Sequence, residues 1–112
     1  MGFENPHITT SELMEKMAAS DSPAVVDVRR APIFADAKVM LPGAVWKDFR
    51  QADSWGAKLP RNREVVVYCV HGHEVSQTAT LLLRMAGVSA RYLEGGIEGF
   101  IAAGGAVTEL PR

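Results

Sequence analysis

An α/β fold with a mostly parallel sheet is predicted by three observations. Short apolar segments alternate with segments of helical periodicity along the whole chain. The run 65–69 is apolar without period-two alternation, which is typical of a central parallel strand covered on both faces. The chain has 112 residues, 47% of them hydrophobic and 22% charged, which fits one soluble globular domain. We therefore expect a single domain over residues 1–112, with helices flanking the sheet.

The first half of the chain predicts two strands and two short helices. Residues 9–12 have the spacing of a capping box, and apolar side chains then recur at Leu13, Met14 and Met17. The run 24–28 is rich in β-branched residues and predicts a buried strand. The remaining expectations are a short helix over 31–37, a turn over 41–43, a second strand over 44–46, and helix or irregular structure over 49–59.

The second half contains the clearest elements. Apolar residues recur at helical spacing from Val75 to Ala86, and Gly87 is placed to cap the end of that helix. The other expectations are a turn over 60–63, the central strand 65–69, a strand over 90–93, a tight turn over 95–96 and a last helix over 98–103.

Charge and cysteine content limit the partners and the compartment. Twelve basic and 13 acidic side chains give a net charge of −1, so no basic excess predicts binding to nucleic acid or to an anionic membrane. No apolar run approaches the roughly 20 residues that span a bilayer. The single cysteine cannot form an intramolecular disulfide, and residues 1–7 show no secretory pattern. We therefore expect a cytoplasmic protein.

Cys69 is the main candidate for chemistry. It ends the most apolar strand and is followed by a loop with one glycine and then directly by a helix. Ligands of open parallel sheets bind outside the carboxyl ends of the strands. Loop amides and the helix N-terminus there would stabilise an anion and increase the thiolate fraction of Cys69. On position alone, an inert buried cysteine is an equal alternative.

Four motifs in order resemble the single-domain rhodanese family. They are Asp27-Val28-Arg29 after the early strand, Leu41-Pro42-Gly43-Ala44, the strand Val66-Val67-Tyr68-Cys69, and Leu93-Glu94-Gly95-Gly96-Ile97 followed by Gly99-Phe100. Phe100 replaces the tryptophan common in the last motif. Each motif alone is weak, but their order and spacing make a specific pattern.

The resemblance implies a three-layer sandwich in which helices flank a mostly parallel five-stranded sheet, with an active loop from Cys69 to Glu74. It also implies a sulfurtransferase without a cofactor. The cysteine takes sulfane sulfur from thiosulfate or another small anionic donor, and a thiol, cyanide or protein then accepts it. The substrate-binding backbone would be that of Val70, His71, Gly72, His73, Glu74 and Val75.

The loop departs from one family pattern. Many active rhodaneses carry C-x-x-G-x-R-S, and this chain has Glu74 and Val75 at the arginine and serine positions. A carboxylate there would repel thiosulfate unless it points outward or pairs with a cation. Other small rhodaneses have C-x-H-G-x-S-S, which His71 and Gly72 match. His71 and His73 either attract anions when protonated or face solvent.

Several alternatives remain open on the sequence. Arg29 either lines the rim of the pocket or forms a structural cluster with Asp27. Glu74 also permits a module without catalysis that binds an oxyanion or a protein partner. A phosphatase would place an arginine where Val75 stands, and the first later arginine is Arg84. We expect no metal site, because the loop would send its candidate ligands in divergent directions and no C-x₂-C pattern occurs.

Overall fold

The computed structural model describes residues 5–20 and 22–110. Within these ranges, five strands form the main sheet: β1 His7–Ile8, β2 Ala24–Asp27, β4 Val45–Trp46, β5 Val65–Tyr68 and β6 Ala90–Leu93. Their order is β1-β6-β5-β2-β4, and every neighbouring pair is parallel. Strands β3 (Val39–Met40) and β7 (Thr108–Glu109) form a separate antiparallel pair. The expected five-stranded parallel sheet is confirmed.

The described residues form five helices: α1 Thr10–Ala18, α2 Ala31–Asp36, α3 Ala52–Gly56, α4 Glu74–Met85 and α5 Gly96–Ala102. A 3-10 turn, Phe49–Gln51, precedes α3. The side chains of β5 alternate between two cores, as the pleat requires. Val66 and Tyr68 pack in the core that includes α1 and α5, while Val65 and Val67 pack in the core that includes α3 and α4. The sandwich is therefore three layers deep.

The long elements confirm the sequence predictions, and the differences are local. The Thr9 hydroxyl accepts the Glu12 N–H and the Glu12 carboxylate accepts the Thr9 N–H, so the capping box is present. The segment 49–59 resolves into the 3-10 turn and α3. The last helix begins at Gly96, two residues before the predicted start, because Gly95 forms its N-cap in the left-handed region at φ 81°.

Two neighbouring strands end beside the candidate site. Asp27 is the last residue of β2, and it pairs in register with Tyr68, the last residue of β5. Cys69 follows at once, and the N-terminus of α5 lies on the other side of the Cys69 loop, where Ile97 donates a hydrogen bond to the Cys69 carbonyl. The carboxyl ends of the parallel strands thus bring three segments of the chain together.

Candidate active site

Cys69 lies at the floor of a cleft. The four residues of β5 before it are fully buried, and Cys69 itself is 6% exposed. Its Sγ lies 3.1 Å from the hydroxyl oxygen of Ser76. The cleft has a volume of about 330 Å³ and is lined by Arg29, Arg30, Ile33, Cys69, Val70, His71, His73, Glu74 and Val75. The sulfur is therefore shielded from bulk water but open to a small molecule.

The loop after Cys69 offers a run of unpaired backbone donors. The N–H groups of residues 70–76 donate no hydrogen bond to any described part of the chain. The loop carbonyls are held from the other side: the Ile97 N–H donates to Cys69 and the Glu98 N–H to Val70, each at 3.0 Å. Since these peptides are trans, the N–H groups of Val70 and His71 point away from α5. Such a row of amides can hold an anion.

Two glycines explain why the loop takes this shape. Gly72 has φ 74°, and a Cβ there would lie 2.7 Å from the Leu93 carbonyl oxygen. Gly96 has φ 61°, and a Cβ there would overlap the Val70 carbonyl. Only glycine permits both the left-handed conformation and the close approach of two backbones. The Gln77 side-chain amide also donates to the Gly72 carbonyl at 3.1 Å, which braces the loop against α4.

The polar side chains of the loop stand at the rim. His71, His73 and Glu74 are all exposed, and the two imidazole rings lie 6.1 Å apart. No ion pair joins Glu74 to a cation in the described residues. The structure thus brings all predicted loop residues except Gly72 around one cleft, with Gly72 buried beneath them. Glu74 places a solvated negative charge at the cleft entrance.

Arg29 lines the same cleft but is held by a buried network. Its Nε donates to Asp27 at 3.0 Å and its Nη2 at 2.6 Å, and Nη2 also donates to the Val39 carbonyl at 3.0 Å. The Tyr68 hydroxyl donates to Asp27 at 2.9 Å and accepts the Leu41 N–H at 3.1 Å. The structure favours the second sequence interpretation, in which Arg29 and Asp27 form a structural cluster.

Burial and charge shift two pKa values in this network. Burial opposes the charged form of Arg29, but hydrogen bonds and attraction from Asp27 outweigh it and raise the Arg29 pKa. For Tyr68, burial is the main cause and the Asp27 charge the next, and both raise the pKa. The guanidinium is therefore always charged and the phenol always neutral at physiological pH, so this side of the cleft is electrostatically fixed.

Sequence reasoning missed two residues that contact the site. Ser76 lies one position after Val75, so a search at the family's serine position overlooks its hydroxyl. The feature that could have identified Ser76 is its place in the first turn of α4, close to the strand end that precedes the loop. Gln77 gave no signal, because a glutamine on an exposed helix face resembles an ordinary solvated residue.

The described residues form neither a metal-binding cluster nor a membrane-spanning helix. Nowhere between residues 5 and 20 or 22 and 110 do three His, Cys, Asp or Glu side chains gather closely enough to hold a metal ion. In the same ranges, no helix combines the length and apolarity needed to cross a membrane. Arg84, the first arginine after the loop, lies near the far end of α4, where its Nε donates to the Ala90 carbonyl at 2.7 Å.

Comparison with known proteins identifies the family. A model of the Rhodanese-like domain matches residues 9–103, and a search of curated proteins found no match. A rhodanese-related protein of Thermoplasma volcanium is 24% identical, with 93% of this chain and 98% of that chain covered and a TM-score of 0.77. A protein of Lactobacillus plantarum is 28% identical, with 94% and 88% covered and a TM-score of 0.80. A Rhodopseudomonas palustris protein, described as of unknown function and a possible tyrosine phosphatase, is 23% identical, with 91% and 83% covered and a TM-score of 0.72. The chain belongs to the family of rhodanese-like domains.

Proposed function

We propose that this protein is a sulfurtransferase that carries sulfane sulfur on Cys69. The observation that supports this function is the position of the Cys69 sulfur, at the floor of an open cleft and at the start of a run of unpaired amide donors. A run of this kind suits a persulfide anion, which projects one atom beyond Sγ. The same donors would stabilise negative charge during transfer.

The reaction has two balanced steps. In the first, the Cys69 thiolate attacks the outer sulfur of a donor such as thiosulfate, a new S–S bond forms, and sulfite leaves with the electrons of the broken S–S bond. In the second, an acceptor attacks the outer sulfur of the persulfide, and Cys69 leaves as the thiolate. No net redox equivalent and no cofactor is needed.

The size and opening of the cleft support this choice of substrates. A small anionic donor would fit near the amides, and the open rim would let a thiol, cyanide or a protein thiol approach as acceptor. A thiolate chemistry of this kind requires the cysteine to stay reduced, which fits a cytoplasmic location.

Mass spectrometry tests the proposal directly. The purified protein is incubated separately with thiosulfate and with several other sulfane donors, and the intact mass is measured. We expect a gain of one sulfur atom on Cys69, reversed by cyanide or a thiol and absent in Cys69→Ser. If no donor adds sulfur although Cys69 still reacts with an alkylating reagent, the protein is not a sulfurtransferase.

A second candidate is a binding module without turnover, and Glu74 favours it. An unpaired carboxylate at the cleft entrance opposes the approach of an anionic donor. An oxyanion or a partner protein would then bind the amides without reacting. In that case binding measured by calorimetry survives Cys69→Ser, and no donor gives turnover.

The phosphatase alternative has little support in the site. Its one favourable observation is the description of the Rhodopseudomonas palustris neighbour, which is similar in fold. The loop carries no arginine to clamp a phosphate, and Arg84 is committed at the far end of α4. We expect no hydrolysis of an aryl phosphate, and measurable hydrolysis would reverse this conclusion.

A further inference from the structure

Ser76 makes the side-chain contact to the reactive sulfur. Its side chain is fully buried in the first turn of α4, with Oγ 3.1 Å from Sγ of Cys69. Within the described residues, no other side chain hydrogen-bonds to Cys69. The Thr80 hydroxyl, one turn later in α4, donates to the Ser76 carbonyl at 2.8 Å and so bonds to the helix backbone and not to Cys69.

The Ser76 hydroxyl has two available arrangements. With a thiol, Sγ donates to Oγ, and the hydroxyl proton faces the His73 carbonyl at 3.5 Å. With a thiolate, the hydroxyl turns and donates to Sγ, and no heavy atom has to move. The His73 carbonyl loses only a long contact, since it still accepts the Gln77 N–H at 3.1 Å. The rotation therefore leaves no buried acceptor unpaired.

We infer that Ser76 is a positioning residue that holds the negative charge on Sγ, while the loop amides hold the charge on the outer sulfur. The inference rests on the proposed function, since it assigns Cys69 as nucleophile. A hydroxyl that donates to an anion in a buried site makes a strong, charge-assisted hydrogen bond. The site thus has separate hydrogen-bond donors for the two sulfur atoms that carry charge in turn: the Ser76 hydroxyl for Sγ and the loop amides for the outer sulfur.

This division of donors affects the two half-reactions differently. When the thiolate attacks a sulfur donor, Sγ loses its charge. A hydrogen bond to Sγ therefore stabilises the reactant and does not speed the reaction of a fully ionised thiolate. When an acceptor takes the outer sulfur, Sγ leaves as a thiolate, and the Ser76 hydrogen bond strengthens in the transition state. Ser76 therefore assists sulfur release more than sulfur loading.

Alkylation of Cys69 across a range of pH tests the first half of the inference without any sulfur donor. We expect Ser76→Ala to react about ten-fold more slowly than the natural protein at neutral pH, and equally fast once the thiol is fully ionised. Thr80→Ala removes a buried hydroxyl from the next turn and should keep the natural profile. Ser76→Thr retains the hydroxyl and should also keep it.

Single-turnover kinetics test the second half. At a pH where Cys69 is ionised, Ser76→Ala should load sulfur at an undiminished rate and release it to a thiol about ten-fold more slowly. Equal slowing of both steps, or an alkylation profile identical to that of the natural protein, overturns the inference. If Ser76→Ala fails to fold, a Ser76→Thr variant that is folded but loses neutral-pH reactivity overturns it as well. If the natural protein never forms a persulfide but Ser76→Ala is still alkylated more slowly than the natural protein at neutral pH, the sulfurtransferase proposal is refuted. The role of Ser76 on Sγ then still holds.

Discussion

The two sides of the cleft use their polar groups in opposite ways. On one side, the Arg29 guanidinium donates through Nε and Nη2 to Asp27 and the Val39 carbonyl, and the residue is 5% exposed. On the other side, seven successive backbone N–H groups, those of loop residues 70–73 and of residues 74–76 in the first turn of α4, donate to nothing in the described chain. Hydrogen bonds that are already made give rigidity, while unmade ones at the mouth of a cleft remain available to a ligand. The side with Arg29, the fixed side, therefore shapes the cleft, and the side with residues 70–76, the open side, keeps its donors available.

A second Asp-x-Arg pair separates the effect of burial from the effect of the local motif. In both pairs the arginine N–H donates to the aspartate two residues earlier at 3.0 Å, and the guanidinium donates to the same carboxylate. The Arg29 side chain is 6% exposed, whereas that of Arg50 beside Asp48 is 72% exposed. One motif thus occurs in two dielectric environments, and it provides a matched control.

The largest expected effect comes from removing the charge of Asp27. Asp27→Asn keeps the side-chain shape but leaves the Arg29 guanidinium buried without a counter-ion, which should cost about 3–5 kcal/mol of the free energy of unfolding. Urea denaturation measures it. Asp48→Asn, which removes the same charge from the exposed pair, should leave that free energy unchanged within error. Equal losses in the two variants would show that the local motif matters and burial does not.

Gly96→Ala should damage the open side without touching Cys69. The added Cβ overlaps the Val70 carbonyl, so the loop and α5 must separate. A displacement of about 1 Å in a reacting group can cost about a hundred-fold in rate, and we expect a loss of that order in sulfur loading. Gly104→Ala is the control, since Gly104 also has positive φ, at 87°, but has nothing within 4 Å of the added Cβ. It should lose about 1 kcal/mol of stability and keep the loading rate.

The long and regular elements could be predicted from the sequence, because their buried faces give a periodic or continuous pattern of apolar residues. Strand β5 and helix α4 are examples. Strands β1, β3 and β7 have two residues each, and two residues carry no period. Their pairing depends on partners that are distant in the chain, such as β3 with β7.

The candidate site divides in the same way. Cys69 and the loop could be located because the motif is contiguous in sequence. The contacts of Ile97 and Ser76 could not, because tertiary packing brings α5 and the first turn of α4 against the loop. The sequence predicts a tight turn at Gly96, and only the structure shows that Gly96 permits the close approach to Val70. The sequence also left two roles open for Arg29, and the contact that separates them joins it to Val39, ten residues later.

Tyr68 on the fixed side should also make the free energy of unfolding fall at alkaline pH. The raised pKa of folded Tyr68 keeps the phenol protonated where the unfolded chain, with its ordinary pKa of about 10, ionises. Its contribution is therefore complete below about pH 10 and is lost as the pH rises toward the folded value. By about pH 11 the loss should reach roughly 1.4 kcal/mol. The test measures the free energy of unfolding against pH for the natural protein and for Tyr68→Phe. All other titrating groups are shared by the two proteins, so the difference between the curves reports Tyr68. Parallel curves would contradict it.

The smallest expected effect concerns the charge at the entrance to the open side. Glu74→Gln removes a solvated carboxylate from the rim, so thiosulfate should load Cys69 about three-fold faster at low ionic strength, and this gain should disappear near 1 M salt, where the Debye length is about 3 Å. Glu15→Gln makes the same change in net charge on an exposed position of α1 and should have no effect. A gain that persists at high salt would mean that Glu74 obstructs the donor by contact and not by charge. A slower reaction with thiosulfate would contradict repulsion of the donor by the Glu74 carboxylate.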